Sequence, residues 1–292
     1  MSTENSIELP EGITTVTQNG LTAYRVQTSL GSGLVYEHGA HVAEWQPAGQ
    51  DPVLWMSDSS DYADDKPLRG GIPICFPWFG PGRDGQHEPG HGFARLADWK
   101  LVQAEVSESG QAHLALELTG DQVADLAGFP SDFTARLDVA MGTILGLEFT
   151  VTAGGQQLDY EAALHTYFDV ADIEQTMVEG LDGARYLDKV GGGEAQQEGA
   201  VNFTMETDRV YFSDSTTRIV DAARGRTLVV EKSNSANTVV WNPWVDKAAR
   251  MPDFGDREWP AMCCVETVNA LDNAVFLQPG ESHTMGTAIS IA

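Results

Sequence analysis

The chain has 292 residues, an apolar content of 42% and a formal net charge of −26 at pH 7, since 43 acidic side chains outnumber 17 basic ones. This length and apolar content suffice for a full hydrophobic core, in one large all-β domain or two smaller domains. The acidic excess argues against nucleic acid or an anionic membrane as a partner, because both require a basic surface.

The sequence also bounds the compartment in which we expect the protein. It begins without a basic segment followed by an apolar one, and it contains no apolar run long enough to span a bilayer. Its three cysteines, Cys75, Cys263 and Cys264, are too few for a disulfide scaffold. We therefore expect a cytoplasmic protein with reduced thiols. A monomer is the working expectation, although the sequence itself sets no oligomeric state.

Apolar residues alternate with polar or small ones in several segments along the chain. Residues 112–118 place Leu114, Leu116 and Leu118 on one face, and residues 146–152 follow the same period of two. The C-terminal segment 283–292 repeats it. Turn sequences such as Asn19-Gly20 and Gly154-Gly155 separate such segments. These patterns predict β-strands joined by tight turns.

Signals for helices are few and short. Asp121 is a candidate cap for a brief helix that ends at Leu126, and a second helix is predicted from Asp246 to Met251. Long amphipathic helices do not alternate with the strands, which argues against a parallel sheet. We predict an all-β fold, a large antiparallel β-sandwich with a few short helices, formed as one domain by residues 1–292.

Residues 69–81, RGGIPICFPWFGP, are the first segment with unusual composition. Gly70 and Gly71 would allow the backbone to approach a ligand closely, and three prolines stiffen the segment. Packing in the core is the simpler interpretation of its aromatic residues. For Arg69 we favour a functional role.

Residues 91–95, HGFAR, bring His91 and Arg95 close together in the chain. The planar guanidinium group of arginine is suited to binding phosphate through paired hydrogen bonds. A surface arginine and a hydrogen-bonded structural histidine would give the same sequence, so this segment alone does not decide the function.

Two polar residues interrupt apolar segments that resemble strands. His165 lies in ALHTYFDV, where Tyr167 shares its face, and Glu266 lies in CCVETVNA. A carboxylate inside a strand is costly unless it is paired or hydrogen-bonded, so Glu266 is a candidate for acid–base chemistry. The structural alternatives are a hydrogen-bonded core histidine and a glutamate that faces water.

Metal and cofactor motifs are weak in this sequence. His38 with His41, and His87 with His91, have a spacing seen in metal sites, but neither pair has a third ligand nearby in the chain. The glycines at 191–193 lack the lysine and hydroxyl residue of a phosphate-binding loop. We therefore predict no metal and no cofactor.

Taken together, these segments resemble the hexose-6-phosphate mutarotases, or glucose-6-phosphate 1-epimerases, within the aldose 1-epimerase superfamily. The pairing of RGGIP with HGFAR is the most specific feature. The matching segments occur in order at 39–45, 69–81, 91–95, 164–168, 206–211, 239–244, 264–270 and 277–286.

The resemblance implies a galactose-mutarotase-like sandwich that holds a sugar on a concave face. It implies that His165 and Glu266 match the catalytic histidine and glutamate of the family. It also implies that four further residues contact the phosphorylated sugar: Arg69, His91, Arg95 and Asp208. Some relatives have glutamine where this chain has Gly90, so that contact would be missing or replaced.

Mutarotation requires the bond between C1 and the ring oxygen to break and re-form. We assign Glu266 as the base that deprotonates the C1 hydroxyl and His165 as the acid that protonates the ring oxygen. We expect the two groups to flank the sugar without touching each other. The alternatives are a non-catalytic sugar-phosphate binding module, a mutarotase for free hexoses, and a glycoside-cleaving enzyme, which would need two carboxylates.

Overall fold

A computed structural model describes residues 7–123 and 125–292, and strands dominate it. In chain order the strands are β1 Ile13–Gln18, β2 Leu21–Thr28, β3 Gly31–Tyr36, β4 Val42–Pro47, β5 Ile74–Cys75, β6 Lys100–Val106, β7 Ala112–Thr119, β8 Phe133–Met141, β9 Leu145–Ala153, β10 Leu158–Tyr160, β11 Ala162–Leu164, β12 Tyr167–Asp169, β13 Thr176–Glu179, β14 Arg185–Asp188, β15 Glu194–Gln196, β16 Val201–Asn202, β17 Thr207–Tyr211, β18 Thr217–Asp221, β19 Arg226–Ser233, β20 Asn237–Asn242, β21 Met262–Asn269, β22 Val275–Leu277 and β23 Ser282–Ile291.

Helices are short, as the sequence predicts. The described residues contain one α-helix, α1 Trp244–Ala248, and the 3-10 turns Ala94–Leu96, Gly120–Gln122, Ile173–Gln175, Trp259–Ala261 and Leu271–Asn273. The helix predicted from Asp246 to Met251 is thus present with shifted bounds, because Pro252 disfavours helical backbone at Met251.

The helix predicted from Asp121 to Leu126 is wrong. A single 3-10 turn begins at Gly120 and ends at Gln122, and Thr119, not Asp121, caps it. The Gln122 side chain accepts a hydrogen bond from the Thr119 amide, so the last residue of the turn is bonded back to the residue that caps it. Val123 is already extended, and residue 124 lies outside the described residues.

In the described part of the chain the strands form two large sheets and two smaller ones, and every strand pairing there is antiparallel. The nine-stranded sheet has the order β16-β13-β18-β19-β23-β9-β8-β7-β6. The eight-stranded sheet has the order β15-β14-β17-β20-β21-β11-β5, with β12 also paired to β21. Strands β1 to β4 form a third sheet in sequence order, and β10 pairs with β22. This confirms the predicted antiparallel all-β architecture.

The main core lies between the two large sheets. From the nine-stranded sheet, Leu114, Leu116 and Leu118 point into it, which confirms the period-two prediction for β7. From the eight-stranded sheet, Cys263 and Val265 of β21 reach the same core. Burial of such aliphatic side chains contributes about 1.5–3 kcal/mol each, so this layer dominates the stability of the sandwich.

The eight-stranded sheet is covered on its other face as well. Alternate residues of β21, including Cys264 and Val268, join a second cluster with Trp241 and Phe254. All eight residues of β21 are therefore buried. A polar side chain on this second face lies in a largely dry environment, where its charge state is sensitive to its neighbours.

Two properties of the described residues bear on the expectations from sequence. Their helices include none that is long and apolar enough to cross a membrane. The three cysteines are buried free thiols, as expected for a reduced protein.

Candidate active site

Glu266 lies in β21, and His165 lies in the two-residue segment between β11 and β12, which both pair with β21. In the antiparallel register, Leu164 of β11 pairs with Thr267, and Tyr167 of β12 pairs with Cys264. The same register continues through the two residues between β11 and β12, and it sets His165 against Glu266. Both side chains point to the second face of the eight-stranded sheet, away from the main core.

The two side chains are in contact. His165 Nδ1 lies 3.5 Å from Glu266 Oε1, as expected for directly opposed residues of an antiparallel pair. The expectation that they flank the sugar without touching each other is therefore wrong. Both are buried, with His165 8% and Glu266 2% exposed. His165 Nδ1 and Glu266 Oε2 accept or donate no hydrogen bond within the described chain.

The surroundings of this pair favour the uncharged form of each group. Burial lowers the pKa of His165 well below its usual value, and the guanidinium groups of Arg69 and Arg95 lower it further. Burial also raises the pKa of Glu266 well above its usual value, and the Asp208 carboxylate adds to the effect. With the imidazole neutral and the carboxyl group protonated, the pair carries no net charge and has one proton available for transfer.

Arg69 is anchored beside this pair by partners that are distant in sequence. Its Nε and Nη2 donate to Asp253 Oδ2 at 3.1 and 2.8 Å, and its Nη1 donates to the Tyr167 hydroxyl at 2.9 Å. The Tyr167 ring stacks on His165 with centroids 4.8 Å apart. Burial disfavours the Arg69 cation, but Tyr167 and Asp253 raise its pKa above the usual value. Arg69 thus stays charged next to the imidazole.

Arg95 is a buried cation with few partners of its own. Its Nη2 donates to the carbonyl of Gly90 at 2.6 Å, and no described residue accepts a hydrogen bond from its Nε. Burial lowers its pKa, and repulsion by Arg69 acts in the same direction. Gly90 thus contributes its backbone carbonyl to holding Arg95.

The His91 ring lies close to the ring of His165. The two imidazole rings are 5.6 Å apart. His91 Nδ1 accepts a hydrogen bond from the Gly80 amide at 3.3 Å and lies 3.2 Å from Cys75 Sγ. Because an amide only donates, the proton of the neutral ring sits on Nε2. Burial lowers the pKa of His91 well below its usual value, so the ring stays neutral.

Asp208 lies on the same face of the sheet as Glu266. It pairs with Trp241, which in turn pairs with Cys264, so these residues form a row across three strands. Asp208 Oδ2 is 3.6 Å from Lys247 Nζ. The structure therefore brings together all six predicted site residues: His165 and Glu266 in contact, with Arg69, His91, Arg95 and Asp208 around them.

Lys189 is a site residue that the sequence reasoning missed. It is exposed on the turn after β14, its amide donates to the Asp208 carbonyl at 2.8 Å, and its Nζ lies 5.2 Å from the centre of the Phe79 ring. Its charge lowers the pKa of both His165 and Glu266. A lysine shortly before a run of glycines is common in surface turns, so no sequence signal distinguished it.

The glycines at 70 and 71 have a different role from the one expected. A Cβ at Gly70 would lie 2.4 Å from the Trp55 carbonyl oxygen, and one at Gly71 would lie 2.4 Å from that of Val42. These close approaches are to the chain itself, and they allow the segment to pass tightly beside β4. The aromatic residues of the same segment, Phe76 among them, are buried, as the packing interpretation predicts.

The histidine pairs with metal-like spacing do not form sites with a third ligand in the described chain. His38 Nε2 donates to the carbonyl of Lys66 at 2.8 Å, and His87 stacks on Trp78 with centroids 4.7 Å apart. His41 is fully buried. His38, His41 and His87 therefore belong to no group of three possible metal ligands in the described residues.

Comparison with known proteins finds similarity to 1-epimerases of sugars. The aldose 1-epimerase family model matches residues 23–290. A protein from Cenchrus ciliaris is 36% identical over 268 residues, which cover 88% of this chain and 80% of the relative. One from Escherichia coli is 34% identical over 248 residues, covering 84% and 82%. Both are named "Putative glucose-6-phosphate 1-epimerase".

Solved structures share the fold. A crystal structure from Salmonella typhimurium, described as "a putative mutarotase (YeaD)", superposes with a TM-score of 0.88 at 31% identity and covers 98% of this chain and 95% of that chain. A galactose mutarotase-like protein from Clostridium acetobutylicum gives a TM-score of 0.73 at 14% identity, which is a likeness of fold alone. With the family model spanning nearly the whole chain, the protein belongs to the aldose 1-epimerase family.

Proposed function

We propose that this protein interconverts the α and β anomers of hexose 6-phosphates, with glucose 6-phosphate as the expected substrate. The observation that carries the proposal is the contact between His165 and Glu266, a buried acid–base pair with unpartnered polar atoms. Three cations, Arg69, Arg95 and Lys189, influence the charge of this pair. They supply the local positive potential that a phosphate needs in a chain of net charge −26.

The contact between the two groups suits the chemistry of ring opening. The C1 hydroxyl and the ring oxygen are both bonded to C1, so adjacent groups can serve both oxygens from one side. Glu266 takes the proton of the hydroxyl while His165 protonates the ring oxygen, and the C1–oxygen bond breaks. The aldehyde rotates about C1–C2, the ring closes on its other face, and both protons return. Each positioned acid or base contributes roughly 10²- to 10⁴-fold.

The phosphate has a second effect in this proposal, on the charge of the pair. The assigned roles require imidazolium and carboxylate, whereas burial favours the neutral forms in the free site. Arg69 and Arg95 are two causes of the low pKa of His165. A bound phosphate dianion would offset their charge and raise that pKa, so the acid would be protonated when the correct substrate is present.

Binding roles follow from the same positions. Arg95 has a buried Nε without a partner, which makes it the main phosphate ligand, and Arg69 contributes beside its ion pair with Asp253. His91, which carries its proton on Nε2, and Asp208 bind hydroxyl groups of the sugar. Because phosphate contacts are made equally in the ground state, their direct contribution is to recognition.

Anomer-exchange NMR on glucose 6-phosphate and on free glucose tests the proposal. We expect saturable catalysis that is far stronger with the phosphorylated sugar. Arg95→Ala should lower kcat/KM for glucose 6-phosphate roughly 10- to 100-fold, as expected for a lost hydrogen bond to a charged group, and should change exchange of glucose little. Arg218→Ala, an exposed arginine on the nine-stranded sheet, is the charge-matched control.

Three outcomes would contradict the proposal in different ways. Equal loss on both sugars in Arg95→Ala would refute phosphate recognition by this residue. Binding of glucose 6-phosphate without exchange would identify a non-catalytic binding module. Equal catalysis on glucose and glucose 6-phosphate would identify a mutarotase for free hexoses.

A further inference from the structure

A third polar atom adjoins the proposed catalytic pair. Cys264 Sγ, one ring nitrogen of His165 and one carboxylate oxygen of Glu266 all lie within 4.8 Å of one another. Cys264 and Glu266 are alternate residues of β21 and so share a face, and the His165 side chain is in contact with that of Glu266. The mechanism of anomer exchange uses the imidazole and the carboxylate but has no role for the thiol.

The spacing of these atoms fits a small tetrahedral cation. Bond lengths of zinc to nitrogen, oxygen and sulfur place neighbouring ligand atoms roughly 3.3–3.6 Å apart. The distance from His165 Nδ1 to Glu266 Oε1 is already 3.5 Å. Since the sulfur lies no more than 4.8 Å from the other two ligand atoms, a contraction of at most roughly 1.2 Å brings it into the same geometry.

The lack of hydrogen-bond partners for two of these polar atoms points to a ligand. His165 Nδ1 and Glu266 Oε2 are buried and lack hydrogen-bond partners among the described residues. Unpartnered polar groups in a dry site are costly, so a ligand that satisfies them gains free energy. A neutral imidazole and a thiol close together are the donor types that zinc prefers.

We propose that His165, Cys264 and Glu266 form a binding site for a thiophilic divalent cation, with Zn²⁺ as the best fit. On binding, the Cys264 thiol and the Glu266 carboxyl each release a proton to solvent, and the resulting thiolate and carboxylate together balance the two positive charges. Three protein ligands leave a fourth position for water or a sugar hydroxyl. The cation would occupy the atoms that move protons and would block anomer exchange; this consequence rests on the proposed function, whereas binding does not.

Cobalt(II) absorption tests binding independently of activity. Titration of the full chain with Co²⁺ should produce a thiolate-to-cobalt charge-transfer band and the intense visible bands of a tetrahedral site, and Zn²⁺ should abolish both. Cys264→Ala should lose the charge-transfer band. Cys263→Ala is the matched control, because Cys263 is equally buried but faces the main core.

Histidine and glutamate ligation are tested in the same way. His165→Asn and Glu266→Gln should each weaken Co²⁺ binding at least tenfold, and near-ultraviolet circular dichroism verifies that each variant is folded. Absence of the charge-transfer band in the wild type, or its persistence in folded Cys264→Ala, would overturn the proposed site.

Inhibition is then measured by anomer-exchange NMR with and without Zn²⁺. We expect Zn²⁺ to inhibit the wild type and a chelator to restore the rate. Cys264→Ala should keep its exchange rate and require at least tenfold more Zn²⁺ for inhibition. If cobalt binds with the expected bands but no form exchanges anomers, the proposed function fails and the metal site stands. If exchange is normal and insensitive to bound Zn²⁺, the blocking role is refuted.

Discussion

Glu266→Gln removes the proposed base while it preserves shape. The amide fills the same space opposite His165, 3.5 Å away, but it cannot accept a proton from the C1 hydroxyl. Loss of one positioned base should lower kcat for glucose 6-phosphate about 10²- to 10⁴-fold, equivalent to about 3–5 kcal/mol in the activation barrier. KM should change little, because the guanidinium groups that bind phosphate are untouched.

The same substitution should stabilise the fold at high pH. The pKa of Glu266 in the folded protein lies well above the ordinary value of 4.5, because burial opposes the carboxylate. Between these two values the folded state binds more protons than the unfolded state, so wild-type stability falls as pH rises. Glutamine lacks this ionisation. The variant should therefore gain stability over the wild type by up to about 1.4 kcal/mol per pH unit in that window.

Two measurements check this reasoning together. Anomer-exchange NMR gives the rate, and urea unfolding at pH 4 and pH 8 gives the free energy of unfolding of both proteins. A variant that keeps activity within tenfold of the wild type would remove Glu266 from the mechanism. A variant with no stability gain at pH 8 over pH 4 would refute the inference that the buried carboxylate destabilises the fold.

Further predictions concern pH and packing. The pH–rate profile for glucose 6-phosphate should be bell-shaped, with one limb from each member of the pair, and a flat profile between pH 5 and 9 would count against them. Burial lowers the pKa of His41 to about 3, so the folded state binds fewer protons than the unfolded state between that value and 6.5. Stability should fall by about 1.4 kcal/mol per unit as pH drops through this range, and urea unfolding of His41→Gln should show a shallower fall. Gly92→Ala places a Cβ 2.0 Å from the Phe76 carbonyl oxygen, and it should cost more stability than Gly85→Ala, where only the positive φ is unfavourable, by about 1–3 kcal/mol. Equal costs at both glycines in urea unfolding would show that this contact relaxes freely.

Much of the fold follows from local patterns. The alternation in 112–118 fixes which side of β7 is buried, and Asn19-Gly20 forms the turn between β1 and β2 with positive φ at both residues. The failed helix at Asp121 shows the limit of such signals. The two candidate caps, Thr119 and Asp121, are only two positions apart, and the capping hydrogen bonds of Thr119 decide between them.

The site was predictable only in part, because its contacts link distant segments. Segment resemblance identified the six polar residues, but nothing local indicates that Asp253 would anchor Arg69. The contact between His165 and Glu266 depends on the register of β21 against β11 and β12, which a single sequence does not specify. The charge state of the pair depends in turn on how deeply this arrangement buries both groups.

The register between β11, β12 and β21 has a consequence for folding experiments. Imidazole and carboxylate come from distant parts of the chain and meet only when this ladder has closed in the correct alignment; a slip by one residue would turn Glu266 toward the main core. Recovery of enzymatic turnover during refolding would therefore report the completion of one specific strand pairing. A spectroscopic signal of overall β content would rise earlier, before the molecule is competent.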